Sequence, residues 1–90
     1  LDAYVIAMDA AYQAQAFNLT QHLRDAGIGA DMNYGTGSMK SQMNKANKSN
    51  ARFALILGEE EIKNQTVTIK NMQTSTQEQV PWEQVIERFK

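Results

Sequence analysis

Apolar positions along the chain fall into short unbroken runs, alternating with longer stretches in which they recur every three or four residues. Ala3 to Met8 reads AYVIAM, short enough for a strand and apolar enough to be covered on both faces, as strands of parallel sheets are. From about Ala10 to Ala26 the spacing changes. Ala16, Leu19, Leu23 and Ala26 recur at helical intervals while Gln13, Gln21 and Arg24 face away, and Gly27 suits the left-handed position that ends a helix. IGADM, Ile28 to Met32, predicts a second strand, and NYGTG, Asn33 to Gly37, a loop. Ser38 fits the N-cap of a second helix, in which Met39, Met43 and Ala46 face a core and Lys40, Lys45 and Lys48 do not. Ser49 and Asn50 end it.

Phe53 to Leu57 is the most apolar run and predicts a central third strand. Strand, helix, strand, helix, strand with short connections is an α/β unit built on parallel strands. About seven residues then separate this run from QTVTIK, too few for a crossover helix, so a fourth strand must return antiparallel. In it Val67 and Ile69 alternate with Thr66, Thr68 and Lys70, which leaves a more open threonine and lysine face. Met72 to Thr76 turns into a short polar fifth strand ending near Val80. Pro81 suits the first turn of a last helix, with Trp82, Val85, Ile86 and Phe89 as its apolar stripe. The expected fold is a mixed five-stranded sheet, three parallel strands plus an antiparallel fourth, flanked by three helices.

Composition narrows the function. Ninety residues make one domain that buries roughly 60–65% of its surface, too little for a large catalytic cleft. Apolar residues at 42% and charged residues at 21% are those of a folding globular chain. No apolar run approaches the roughly 18 residues of a membrane span, and no signal peptide opens the sequence, so the expected compartment is the cytoplasm. The chain opens without Met in a strand-like run, as a domain cut from a longer protein would. The absence of cysteine removes disulfides, thiolate metal sites and a cysteine nucleophile. The net charge of -1 lacks the bulk cationic field of a stand-alone nucleic-acid binder, yet the charges between Met39 and Phe53 are Lys40, Lys45, Lys48 and Arg52, all positive.

Candidate chemistry is sparse. YGTGSMKS, Tyr34 to Ser41, looks like a phosphate loop, but Met39 stands where the P-loop needs glycine before the lysine. His22 is the single histidine and reads as a solvated helical residue, with no triad partner. The lysines of the second helix are either its wet side or phosphate contacts. Glu59, Glu60 and Glu61 follow the carboxyl end of the central strand, where ligands bind in open α/β sheets and where acids also stabilise a helix start. Glu61 and Lys70 at one sheet edge would form a carboxylate and ammonium pair able to read an unstacked base.

Taken together, AQAFNLTQHLRDAGIGADM, SMKSQMNKANKSNARFALILGEEEI and TVTIKNM resemble the C-terminal anticodon-binding domain of class II aminoacyl-tRNA synthetases, in its histidyl form. The most specific part is Lys40, Gln42, Ala46 and Lys48, then Ala51 to Ala54, Gly58, Glu59 and Glu61, then Thr66, Val67 and Lys70. The resemblance covers nearly the whole chain. It implies a mixed five-stranded sheet with three helices, a role in holding the tRNA anticodon loop, tRNA-His as the favoured partner, and no catalysis by this chain. Glu61 stands at the family's base-reading acid and Lys70 at its basic partner. Asn44 lies on the helix facing the loop, and Lys40, Gln42 and Lys48 match residues that contact backbone or bases. No cofactor belongs to this domain; ATP and Mg belong to a catalytic domain of the same polypeptide, in a homodimeric parent. Gly37 and Asn47 depart from the pattern, standing where relatives carry a base and an acid. A synthetase-derived protein-interaction domain without tRNA charging is the alternative reading.

Overall fold

A computed structural model of the chain describes residues 2–32 and 39–89. Strand β1 (Ala3–Ala7) leads through a 3-10 turn, Ala10–Tyr12, into helix α1 (Gln13–Asp25) and strand β2 (Ala30–Met32). Helix α2 (Met39–Lys48) precedes β3 (Phe53–Leu57), and the short α3 (Glu59–Asn64) leads into β4 (Thr66–Asn71). Strand β5 (Gln77–Pro81), a second 3-10 turn and the single-turn α4 (Val85–Arg88) complete the order. The expected NYGTG loop, the Ser38 cap, the departure at Gly37 and the inward side chain of Met39 lie outside the described residues.

The sheet runs β2-β1-β3-β4-β5, with β1 parallel to both β2 and β3 and the β3–β4 and β4–β5 pairs antiparallel. This is the mixed five-stranded sheet that the apolar runs predict. The expected three helices are α1, α2 and the 3-10 turn with α4. The seven-residue connection holds α3 in addition, short enough not to carry the chain across the sheet.

Burial is two-sided where the sheet is parallel. On one face Val5, Leu55, Leu57, Val67 and Ile69 pack with Ala16, Leu19 and Leu23 of α1 and with Val85 of α4. Phe53 and Phe89 close that layer with ring centroids 5.4 Å apart at 87°, the edge-to-face geometry that aromatic quadrupoles favour. On the other face Tyr4, Ile6, Ala54 and Ile56 take Ala46 and Met43 of α2 together with Ala51 and Met72. Helix α2 thus sits over β1 and β3, and its cluster includes no residue of β5.

Local chemistry sets the ends of α1. Ala11 N donates to Asp9 Oδ1 at 3.0 Å, so the first turn tightens to 3-10 form instead of opening as a continuous α-helix from Ala10. At the other end Ile28 N donates to Leu23 O at 2.9 Å and Gly27 N to Arg24 O at 3.0 Å, the paired bonds of a Schellman end, with Ile28 and Leu23 making its apolar contact. Gly27 has φ +82°. Ala26, at the C-cap, is exposed and does not extend the apolar stripe that the spacing predicted. The second strand starts at Ala30 rather than Ile28 because Ile28 is engaged in that end.

A Cβ at Gly27 meets nothing within 4 Å, so Gly27→Ala tests the backbone alone. It should lower stability by about 1 kcal/mol, the left-handed penalty of an L-residue, read as a lower urea midpoint at unchanged slope. Burial and then the Asp31 carboxylate raise the Tyr4 phenol above its ordinary value of 10.0. The fold prefers the neutral phenol, so this contribution is present below about pH 10 and lost as pH rises through the raised value. Tyr4→Phe should therefore flatten the alkaline fall in urea midpoint, compared with wild type between neutral and strongly alkaline pH.

Candidate nucleic-acid interface

Helix α2 separates its residues by periodicity. Ala46 is 0% and Gln42 2% exposed, both turned to the sheet, whereas Lys40, Asn44 and Lys48 are all exposed. Spaced at i, i+4 and i+8, these three make one outward stripe along the helix. Gln42 does not share it. Its side chain is inside the fold, contrary to the expectation that it contacts a ligand directly, because position 42 lies about half a turn away from positions 40 and 44.

Lys70 stands on β4 opposite Ala54 of β3, on the α2 side of the sheet. It is half-buried, and Thr68 beside it is 9% exposed, so the strand's polar face is less open than alternation alone implied. The same face continues onto β5, where Gln77 pairs with Lys70 and Gln79 with Thr68. Both glutamines are exposed. Sequence reasoning left them unassigned; the signal was the alternation in QEQV, and its meaning depends on a register that only the β4–β5 pairing sets.

Glu61 occupies the third position of α3 after the N-cap Gly58, the place where an acid folds back on its own helix start. It is 8% exposed. A Cβ on Gly58 would lie 3.2 Å from Glu61 Oε1 and 2.6 Å from Met8 Sδ, so the carboxylate rests against the Gly58 backbone at the carboxyl end of β3. Glu59 and Glu60, both exposed, complete the acidic first turn, as a helix start favours.

Glu61 and Lys70 are not brought together. Lys70 is level with Ala54, whereas Glu61 follows the far end of β3, about 10 Å further along at 3.3 Å per residue. The expected pair on a single base is therefore not formed, because the antiparallel return carries Lys70 back to the amino end of the central strand. His22 is exposed, as expected. Among the described residues no group of three or more His, Cys, Asp or Glu is placed to hold a metal ion, and no helix is long and apolar enough to cross a membrane.

Comparison with known proteins bears on the family and the fold. The family model described as Anticodon binding domain matches residues 2–90. The chain is 46% identical over its full length to a histidine–tRNA ligase of Natranaerobius thermophilus and 39% identical to that of Symbiobacterium thermophilum, covering 21% of each. It thus spans about a fifth of the length of these relatives. Among solved structures, apo histidyl-tRNA synthetase of S. aureus superposes with a TM-score of 0.91 at 32% identity, over 99% of this chain and 23% of that one. The RNA binding domain of threonyl-tRNA synthetase from Cryptosporidium parvum shares the fold, with a TM-score of 0.90 at 20% identity over 98% of this chain and 22% of its own.

The position of Glu61 predicts a stability cost independent of any ligand. Glu61→Ala should lower unfolding stability by about 1 kcal/mol through the lost interaction with the α3 N-terminus, read from urea unfolding. Lys70→Ala, with a half-exposed side chain, should stay within about 0.5 kcal/mol of wild type. Equal effects would show that Glu61 does not secure the helix start.

Proposed function

The chain belongs to the anticodon-binding domain family, and from that premise we propose that it is the C-terminal domain of a histidine–tRNA ligase, holding the anticodon stem-loop of tRNA-His. The observation that carries the reading is the surface just described, within a whole-chain family match: a sheet face bearing Lys70 beside a helix that exposes Lys40, Asn44 and Lys48. Cations placed on regular elements suit phosphate oxygens along a single strand, and phosphate contacts position the nucleic acid while base contacts specify it. Lys40, Lys48 and Lys70 hold the backbone in this reading. Asn44, with donor and acceptor on one amide, faces a base edge.

Glu61 accepts from a base at the opposite end of the central strand, so it and Lys70 serve different nucleotides. Gln42 acts from inside, setting α2 against the sheet. The domain itself needs no cofactor. ATP and Mg serve a catalytic domain of the same polypeptide, which activates histidine and charges the tRNA in a homodimeric cytoplasmic enzyme. A protein-interaction domain without tRNA charging is the weaker reading, because relatives named as histidine–tRNA ligases match along the whole chain.

The test is a titration with a hairpin carrying the histidine anticodon loop, against one with the anticodon changed, at several salt concentrations. Three phosphate contacts predict a log–log salt slope of about -2, at roughly 0.7 per neutralised phosphate. Lys40→Ala with Lys48→Ala should flatten it to about -0.7 by the same rule. Residue-resolved NMR shifts should fall on Asn44, Glu61 and Lys70 and fade with the altered anticodon. A salt-independent signal, or none, would sink the reading.

A further inference from the structure

We propose that Met8 is a modification site: a hydroperoxide oxidises its thioether to the sulfoxide, and the new oxygen displaces Met8 from Gly58 and disturbs the Glu61 carboxylate beside it. No bound RNA is needed for this, so it stands apart from the RNA-binding reading.

The chain has five methionines, and the fold treats them unequally. Met32 is 4% exposed and packs in the cluster that includes α1. Met43 and Met72 are half-buried against the cluster on the α2 face. Met8, just past the end of β1, is 52% exposed. A thioether is oxidised where the oxidant can reach its sulfur, so Met8 reacts ahead of these three.

Accessible as it is, Met8 is held in a defined place. Met8 N donates to Leu57 O at 2.9 Å, which carries the β1–β3 pairing one residue past Ala7. The side chain lies over Gly58. A Cβ at position 58 would sit 2.6 Å from Met8 Sδ, 3.6 Å from Met8 Cγ and 3.2 Å from Glu61 Oε1. The sulfur and the carboxylate oxygen therefore converge on the side of Gly58 that carries no side chain. A weakly polar thioether is a tolerable neighbour there for an acid that the fold leaves only 8% exposed.

Oxidation removes that tolerance. A lone pair on Met8 Sδ forms a bond to one peroxide oxygen as the O–O bond breaks. With hydrogen peroxide the departing hydroxide takes the proton from the transferred oxygen and leaves as water. Sulfur loses two electrons and the peroxide gains them. The product is a polar side chain whose oxygen accepts hydrogen bonds. The carboxylate oxygens of Glu61 also only accept, so two acceptors meet at Gly58 with no hydrogen to share. Either the sulfoxide turns out to water and uncovers Gly58, or Glu61 is pushed from the start of α3. A glutamine at position 61 relieves the conflict, because its carboxamide N–H can donate to the sulfoxide oxygen.

The experiment treats the folded chain with dilute hydrogen peroxide and locates the sulfoxide over time by peptide mass spectrometry. Urea unfolding and backbone amide NMR shifts are recorded before and after, for wild type, Met8→Leu and Glu61→Gln. Met8→Leu keeps the side-chain volume without an oxidisable atom. Sulfoxide should form at Met8 ahead of Met32, Met43 and Met72. Oxidised wild type should show a lower urea midpoint and shifted amides at Gly58 and Glu61, both restored by a methionine sulfoxide reductase. The same treatment should leave both readouts unmoved in Met8→Leu, and Glu61→Gln oxidised at Met8 should lose less of its midpoint than wild type. Oxidation at Met8 no faster than at Met43 and Met72 overturns the inference. So does a Met8 sulfoxide that leaves the midpoint and the two amides unchanged, or a loss equal to that of wild type in either variant. None of these readouts involves RNA, so the result is independent of the hairpin titration.

Discussion

Strand β3 is fastened along both edges, in parallel to β1 and antiparallel to β4, and every other position in the domain is measured from it. Its last four residues are buried, which a strand satisfies only when both faces are covered and both rows of backbone groups are paired. A one-residue slip would turn Leu55 and Leu57 out of the α1 layer and drive Ala54 and Ile56 into it. The exact alternation of small and large residues against two different helix layers excludes that slip, so the register of Lys70, and through it of Gln77, is a consequence of core packing.

The same constraint explains why one sheet face remains accessible. Parallel strands require crossovers, and crossovers lay α1 and α2 on opposite faces of β1 and β3. The connection after Gly58 is too short to do this again, and the chain returns antiparallel through a one-and-a-half-turn helix. Strands β4 and β5 therefore gain cover from α4 on one side only. A polar face beside α2 is left, and the threonines, glutamines and lysine found there are the residues that such a half-covered antiparallel sheet calls for.

Glu61 stands where two general preferences for an acid coincide. Its place at the third position of α3 makes the carboxylate useful to the helix start, and its place beyond the carboxyl end of β3 is where α/β sheets present groups to ligands. Both preferences fall on one position because α3 begins directly after the carboxyl end of β3. Its carboxylate is buried against Gly58 and Met8, and the antiparallel return sets Lys70 at the other end of β3, level with Ala54.

The amino-acid sequence alone determined the order and type of the main elements, because its apolar runs and helical stripes are long enough to report their own periods. It also determined the antiparallel return, since seven residues cannot span a crossover, and the absence of thiol chemistry. The Schellman end at Gly27 was legible as a helix stop, though not the shortening of β2 that follows from it. What only tertiary structure decided is which of the candidate residues share a surface. Gln42, Lys40 and Lys48 look equivalent as polar residues on one helix until the sheet claims one side of it. Glu61 and Lys70 look adjacent because both flank the same turn-rich stretch, but the antiparallel pairing carries Lys70 away from Glu61 and sets it beside Gln77 instead. The reason is the same throughout: local pattern specifies which face of an element is apolar, while the neighbours of its polar face are chosen by register and packing between elements distant in the chain.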